Sequence, residues 1–390
     1  MSTRARTLGL ACVMVATSAC TSDARGVQRR TDAFGVELVR VSERAVEAAP
    51  AWSVSDAPQG RFVLALPTAA TTTSASPTNR APTASDARSP GAQAIAPAAI
   101  SAVRFGNEHA LHVVTGPPVR VLELDRRSGA VRPRGAAGRG VGEYVDPTML
   151  ETSMRDLLVI FDAPLRRLTF FGADGSTSAT VLQPHDGGPL LPWHVLADGS
   201  LLARGVRETI AVASPSGAAR DSEVVVRLSA SGQILDAFGT WPAADLLLTW
   251  QADSSVLVQE APNARRLLLA GNDSVVVIAP GGPWRVALHD RRGRRRRMIR
   301  VETRSRGRPE DWPMIDQLLL DDAARLWMRE TPVADGVARQ WVVFSLAGAP
   351  LGRVAFDAAF TLHAVRGDDV VGVWRHGDGR SEVRVLRVTP

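Results

Sequence analysis

The chain has no lysine, so all 46 of its basic residues are arginine, set against 40 acidic residues for a formal charge of +6. Such one-sided usage follows genomic composition. The net charge suits a solvated surface first, and an anionic lipid or acidic polysaccharide second. Two cysteines, Cys12 and Cys20, cannot make a disulfide framework. There is a single tyrosine, Tyr144. Beyond the N-terminal segment no apolar run reaches the roughly 18 residues that a membrane-spanning helix needs. Helical periodicity is nowhere sustained, which points to an all-β chain. A Gly-x-Ser-x-Gly elbow, His-Glu-x-x-His, a phosphate loop before lysine and paired Cys-x-x-Cys sites are all missing, so the standard hydrolase and zinc classes are not expected.

What is present begins with a targeting segment. Arg4 and Arg6 form a positive n-region, Leu8 to Ala16 a short apolar stretch, and Thr17-Ser18-Ala19-Cys20 a small-residue cleavage site. That tetrapeptide resembles the lipobox of bacterial lipoproteins, with Thr17 where leucine is usual. The resemblance implies a signal peptide over residues 1–19 and a lipid on Cys20, hence an envelope location, on the outer membrane's periplasmic or surface face. The competing reading is an ordinary secretory signal with an incidental thiol. An exported chain seldom meets nucleic acid, so none is expected as a partner. Residues 20–34 are polar and unpatterned, as in a tether. Residues 66–98 are rich in Ala, Ser, Thr and Pro and are expected as a disordered insertion.

From about Ala99 a unit recurs: a polar turn, an apolar run, a second run and a glycine turn. The first runs are His109–Thr115, Asp156–Asp162, Ser200–Val206, Asp273–Pro280, Ala324–Glu330 and Asp368–Arg375. Five glycine turns follow, ending at Gly129, Gly175, Gly232, Gly293 and Gly348. A long interval over 241–264 leaves room for an extra hairpin. Leu157 to Phe161 and Val275 to Ile278 are apolar at every position, as strands buried on both faces must be. The unit spacing matches four-stranded antiparallel propeller blades. The expected fold is therefore a six-bladed β-propeller over residues 35–390, closed by an N-terminal strand in the last blade. Gly35 to Val41 is the expected closing strand.

The stretch Gly135 to Tyr144, the blade start Leu319 to Trp327 and the ending Gly372 to Val388 together resemble the bacterial six-bladed propellers related to NHL-repeat proteins, many of them exported. The glycine loop is similar to that family's loop ending Gly-Pro-Gly-Glu-Phe or Tyr, with Val141 in place of proline. Gly138, Gly140, Gly142, Glu143 and Tyr144 form the candidate loop site, with Glu143 read either as an acceptor of loop amides or as a binding residue at the channel mouth.

Other candidates have bland readings beside functional ones. His109 and His112 lie on opposite faces of a strand and cannot share a metal. Asp321-Asp322 and Asp368-Asp369 could offer oxygen ligands to calcium, or close turns. The arginines of Arg291 to Arg297 are a solvated hairpin tip or a contact for lipid phosphates or polysaccharide. No metal or cofactor is expected. The leading expectation is a monomeric binding or scaffold lipoprotein for an unidentified envelope protein, glycan or small ligand. The alternative is a lactonase-like hydrolase or lyase with a metal near the channel.

Overall fold

The computed structural model describes residues 21–390 apart from 24–25, 64–98, 117–118, 155, 186–187, 208–217, 251–255, 262–263, 282–283, 303–314, 333 and 335. Cys20 and the 66–98 stretch therefore lie outside the described residues.

Six antiparallel blades form a ring. From the axis outward, blade one is Ala99–Phe105, Ala110–Gly116, Arg120–Asp125 and Val131–Pro133. Blade two is Pro147–Met149, Leu157–Asp162, Arg167–Gly172 and Thr177–Val181. Blade three is Leu190–Val195, Leu201–Arg207, Ala218–Leu228 and Ile234–Trp250, with Val256–Glu260 folding back as an extra hairpin strand. Blade four is Leu268–Gly271, Val276–Ala279, Arg285–His289 and Arg295–Glu302. Blade five is Ile315–Leu320, Arg325–Glu330, Arg339–Ser345 and Pro350–Phe356. Blade six is Phe360–Arg366, Asp369–Arg375, Ser381–Thr389 and, from the N-terminal side, Ser53–Phe62.

The six first runs read from the sequence are the second strands of the blades. Their composition follows from packing, because a propeller has no central core. Its apolar side chains collect instead into wedges between neighbouring blades. Val276 and Ile278 pack toward blade three, whereas Val277 and Ala279 pack toward blade five. Leu158 and Ile160 face blade one while Val159 and Phe161 face blade three. Alternate residues point to opposite faces, and here both faces are interfaces, so every position must be apolar. The five glycines of the predicted turns all adopt positive φ, between 73° and 95°, in the turns joining third and fourth strands.

The N-terminal stretch departs from expectation. Residues 21–34, expected as a tether, contribute the strands Thr21–Asp23 and Val27–Thr31 to the outer edge of blade four. Glu37–Ser42 pairs in parallel with Arg295–Glu302 of that blade, so Gly35 to Val41 is not the closing strand. The reason is apolar complementarity: Val27, Val39 and Val41 extend the wedge between blades four and five, where Gly348 lies against Val39 and Ile299. The chain then turns through a short helix, Glu43–Glu47, capped by Ser42. It runs beside the outer strand of blade five, where Trp52 N donates to Arg353 O (2.8 Å) and Arg353 N to Pro50 O (2.8 Å). Only then does it enter blade six, where Ser53–Phe62 pairs antiparallel with Ser381–Thr389 and closes the ring.

Candidate functional site

The first strand of each blade lines the central channel. The turns joining first and second strands surround one mouth, a cavity of about 340 Å³. Every blade contributes to it, through Arg104, Glu151, His194, Asp273, Asp322 and Arg366 among others. These turns are tied around the ring. Arg366 donates to the carbonyls of Gly106 and Asn107 in blade one (2.6 and 3.0 Å), Asp322 accepts from Gly367 N (2.8 Å), and Asp273 accepts from Ala197 N (2.7 Å). The mouth is thus a rigid rim carrying charged side chains.

Below the rim, three blades bring one polar cluster together. After Met149 the chain leaves its own sheet, and Glu151–Thr152 pairs in parallel with His194 and Val195 of blade three. That crossover places Glu151 beside His194. Arg104 Nη2 lies 3.2 Å from Glu151 Oε1, and His194 Nδ1 lies 3.6 Å from Glu151 Oε2. Arg104 is fixed from behind, with Nη1 donating to the His363 carbonyl of blade six (2.6 Å). Ser153 Oγ is 3.1 Å from His194 Nε2. Burial in the channel wall raises the Glu151 carboxyl, but the attraction of Arg104 and the contact with His194 outweigh it and hold the group ionised, below the usual carboxylate range. His194 Nδ1 and Arg104 Nε are buried without a hydrogen-bond partner. A second cavity, of about 490 Å³, continues down the channel past Trp193, Arg204 and Asp316.

The glycine loop lies elsewhere. It joins the outer strand of blade one to the inner strand of blade two, at the end of the ring opposite this mouth, and none of residues 138–144 lines the mouth. Glu143 Oε2 accepts from Gly140 N (2.6 Å). Arg167 of blade two donates to the carbonyls of Arg139 (2.6 Å) and Glu143 (2.5 Å). The Tyr144 hydroxyl accepts from Val121 N of blade one (3.0 Å), and burial raises its pKa. Gly138, at φ 146°, leaves space that the Glu143 carboxylate fills, since a Cβ there would sit 2.2 Å from Oε2. The loop is a stitched crossover between blades, with Glu143 turned inward onto its own amides.

The acidic pairs have partners of their own. Asp321 is buried and accepts from Arg325 Nε (2.6 Å), Arg325 N (2.7 Å) and Trp327 Nε1 (2.9 Å). Asp369 joins Arg126 of blade one and Arg387 of its own blade. His109 contacts Arg127, whereas His112 turns inward 3.6 Å from Glu123. Among the described residues no group of three His, Cys, Asp or Glu is arranged to hold a metal ion.

Arg104, Glu151, Ser153 and His194 are not singled out as site residues by the sequence. Arg104 and His194 lie on inner strands, and Glu151 and Ser153 on and just after the crossover strand, so no apolar run marks them. One signal was available: Leu-Glu-Thr-Ser over 150–153 precedes a second strand, at the position where each blade turns at the mouth.

No protein-family model matches the sequence, and no curated protein sequence matches it. Solved structures are similar in fold. A member of the DUF4221 family from Bacteroides vulgatus superposes with a TM-score of 0.52 at 9% identity, over 87% of this chain and 99% of that one. A protein described as exported, from Bacteroides fragilis, gives 0.43 at 10% identity, over 75% and 91% of the two chains. A streptogramin B lyase gives 0.38 at 9% identity, over 76% and 95%. The architecture and the first of these likenesses define a six-bladed β-propeller, a fold that serves unrelated activities.

Proposed function

We propose that the chain is an envelope lipoprotein, anchored through Cys20, whose propeller is a binding or scaffold module that holds a polar ligand or a partner's segment at the channel mouth over Arg104, Glu151 and His194. The observation that carries this reading is the convergence of all six blades on one open cavity lined by the charged side chains of Arg104, Glu151, Asp273, Asp322 and Arg366. The open rim and the rigid ties around it suit recognition by a preformed surface. Photo-crosslinking groups placed at positions 273 and 322 test it. Capture of an envelope component there, and not from position 143, is the expected result; capture only from position 143 overturns it.

A second reading rests on one specific contact set. Ser153 Oγ faces His194 Nε2 while His194 Nδ1 faces Glu151, the connectivity of nucleophilic acyl transfer. In that reading Ser153 attacks an ester or lactone carbonyl as its proton passes to His194. The proton then goes to the leaving oxygen, and water releases the acid. The metal-dependent version of a propeller enzyme finds no ligand set among the described residues. A fluorophosphonate probe separates the readings. Labelling that Ser153→Ala abolishes establishes the hydrolase, and an unlabelled folded protein leaves the binding module.

A further inference from the structure

The parallel pairing of Glu37–Ser42 with Arg295–Glu302 has a geometric consequence. Arg297 stands opposite Glu37, and both strands run away from their hairpin tips, so the tips 32–36 and 290–294 lie side by side at one end of one sheet. The first tip carries Phe34, 90% exposed. Asp32 Oδ1 accepts from Phe34 N (2.9 Å) and Val36 N (3.0 Å), a closed turn that holds the aromatic ring outward. The second tip carries the arginine run. The next tip around the ring, in blade three, adds exposed Ile234 and Leu235, and blade four's Gly293 packs against Ala237 beside them.

Some of these arginines are committed within the fold. Arg297 and Arg29 bind Glu37, Arg296 binds Asp290 (2.6 Å), and Arg291 lies 3.8 Å from Asp198. Arg30, Arg292, Arg294 and Arg295 are exposed and have no acidic partner among the described residues. The rim therefore combines unpaired guanidinium groups with projecting apolar side chains. Thr21 pairs with Arg29 and Asp23 with Val27, so the first strand runs away from the Phe34 tip and Thr21 is its tip-side end.

We propose that this rim of blade four is a membrane-docking surface for anionic phospholipid. Phe34, Ile234 and Leu235 enter the headgroup boundary, and Arg30, Arg292, Arg294 and Arg295 bind the phosphates. The proposal deepens the lipoprotein reading and rests on it for the anchor: a lipid on Cys20 tethers the chain, and the basic, apolar-tipped rim sets which face of the propeller lies against the bilayer. The mouth of the channel opens on the same face as the tips, so docking brings it toward the bilayer surface.

The test uses the mature chain carrying Cys20→Ala, so that no lipid contributes, with vesicles of phosphatidylcholine alone or mixed with phosphatidylglycerol. Binding to the mixed vesicles only, weakened by salt, is expected. At roughly fivefold in affinity per arginine near an anionic surface, the triple variant Arg292→Ser, Arg294→Ser, Arg295→Ser loses about a hundredfold. Phe34→Ser weakens binding with the charge intact, and hydrogen exchange slows on vesicle binding at residues 30–36 and 291–297. Equal binding to both vesicle types, unchanged binding of the triple variant with an unaltered melting temperature, or protection confined to other blades overturns the proposal. So does preferential capture by an acidic polysaccharide that vesicles do not displace. The mass of Cys20 in the full-length product is read separately, so an unlipidated cysteine sinks the anchor without touching the vesicle result.

Discussion

The indole of Trp52 meets that of Trp327 edge-on, with ring centroids 5.9 Å apart and planes at 72°. Arg325 stacks over both rings, at 5.7 and 5.9 Å, and is itself bound to Asp321. This contact fastens the N-terminal segment to blade five just before it supplies the closing strand of blade six. Room for it exists because residue 352 is glycine, where a Cβ would sit 2.2 Å from the Trp52 ring.

Trp52→Ala should therefore lower unfolding stability by about 3–5 kcal/mol, as for a large aromatic removed from a packed site. Gly352→Ala should act through the same contact, by expelling the indole. Urea denaturation of the double variant should show little more loss than the worse single variant, because one contact is removed twice. Fully additive losses would mean that the two residues act independently.

At the glycine loop, Glu143→Gln should lower stability by about 1 kcal/mol, a shift of about one to two degrees in melting temperature for a unit of this size, as a charge-assisted hydrogen bond to Gly140 becomes a neutral one. Ligand capture at the mouth should be unchanged. Intact stability with lost capture would return the loop to the binding site.

Two histidines, buried His289 and half-buried His363, set an acid limit. Burial, then Arg104, Arg375 and Arg339, push His363 down to about 3, and burial with Arg295 pushes His289 down to about 4. Both are neutral in the folded chain, while an unfolded histidine takes up a proton near 6.5. Their contribution is complete above pH 6.5 and is lost as pH falls toward 4 and then 3, where the unfolded state binds more protons. Thermal melts across that window should fall with pH. His289→Phe, which keeps the ring against Phe238 and Trp241, should flatten the slope by about one proton. An unchanged slope would show that His289 is not neutral when folded.

Cys20→Ala should abolish lipid attachment and make the chain extractable from the membrane fraction by high salt, since only the salt-sensitive contact of the arginine tips then remains. Unaltered processing and fractionation would show that the segment is an ordinary signal.

The number of blades was legible because second strands, buried on both faces, spell out continuous apolar runs such as Leu157 to Phe161. Which N-terminal segment closes the ring was not. Gly35 to Val41 alternates as a strand should, whereas Ser53–Phe62 is polar and carries Pro58 and Gly60. A register shift absorbs those residues: Arg384 pairs with Arg61, Leu386 pairs with Asp56, and Gly60 lies against the Val385 carbonyl between them. The glycine loop announced itself by composition, and its hydrogen bonds tie blade one to blade two. Apart from the polar stretch 150–153 the channel cluster carried no local signal, because Arg104, Glu151 and His194 come from three blades and meet only through ring closure and the crossover at Glu151.

The most direct measurement is native mass spectrometry of the protein purified from its own envelope, wild type beside Arg104→Met with His194→Ala. The wild type should carry a bound mass that the folded double variant has lost. The same bound mass on both proteins would contradict a binding site at the channel mouth.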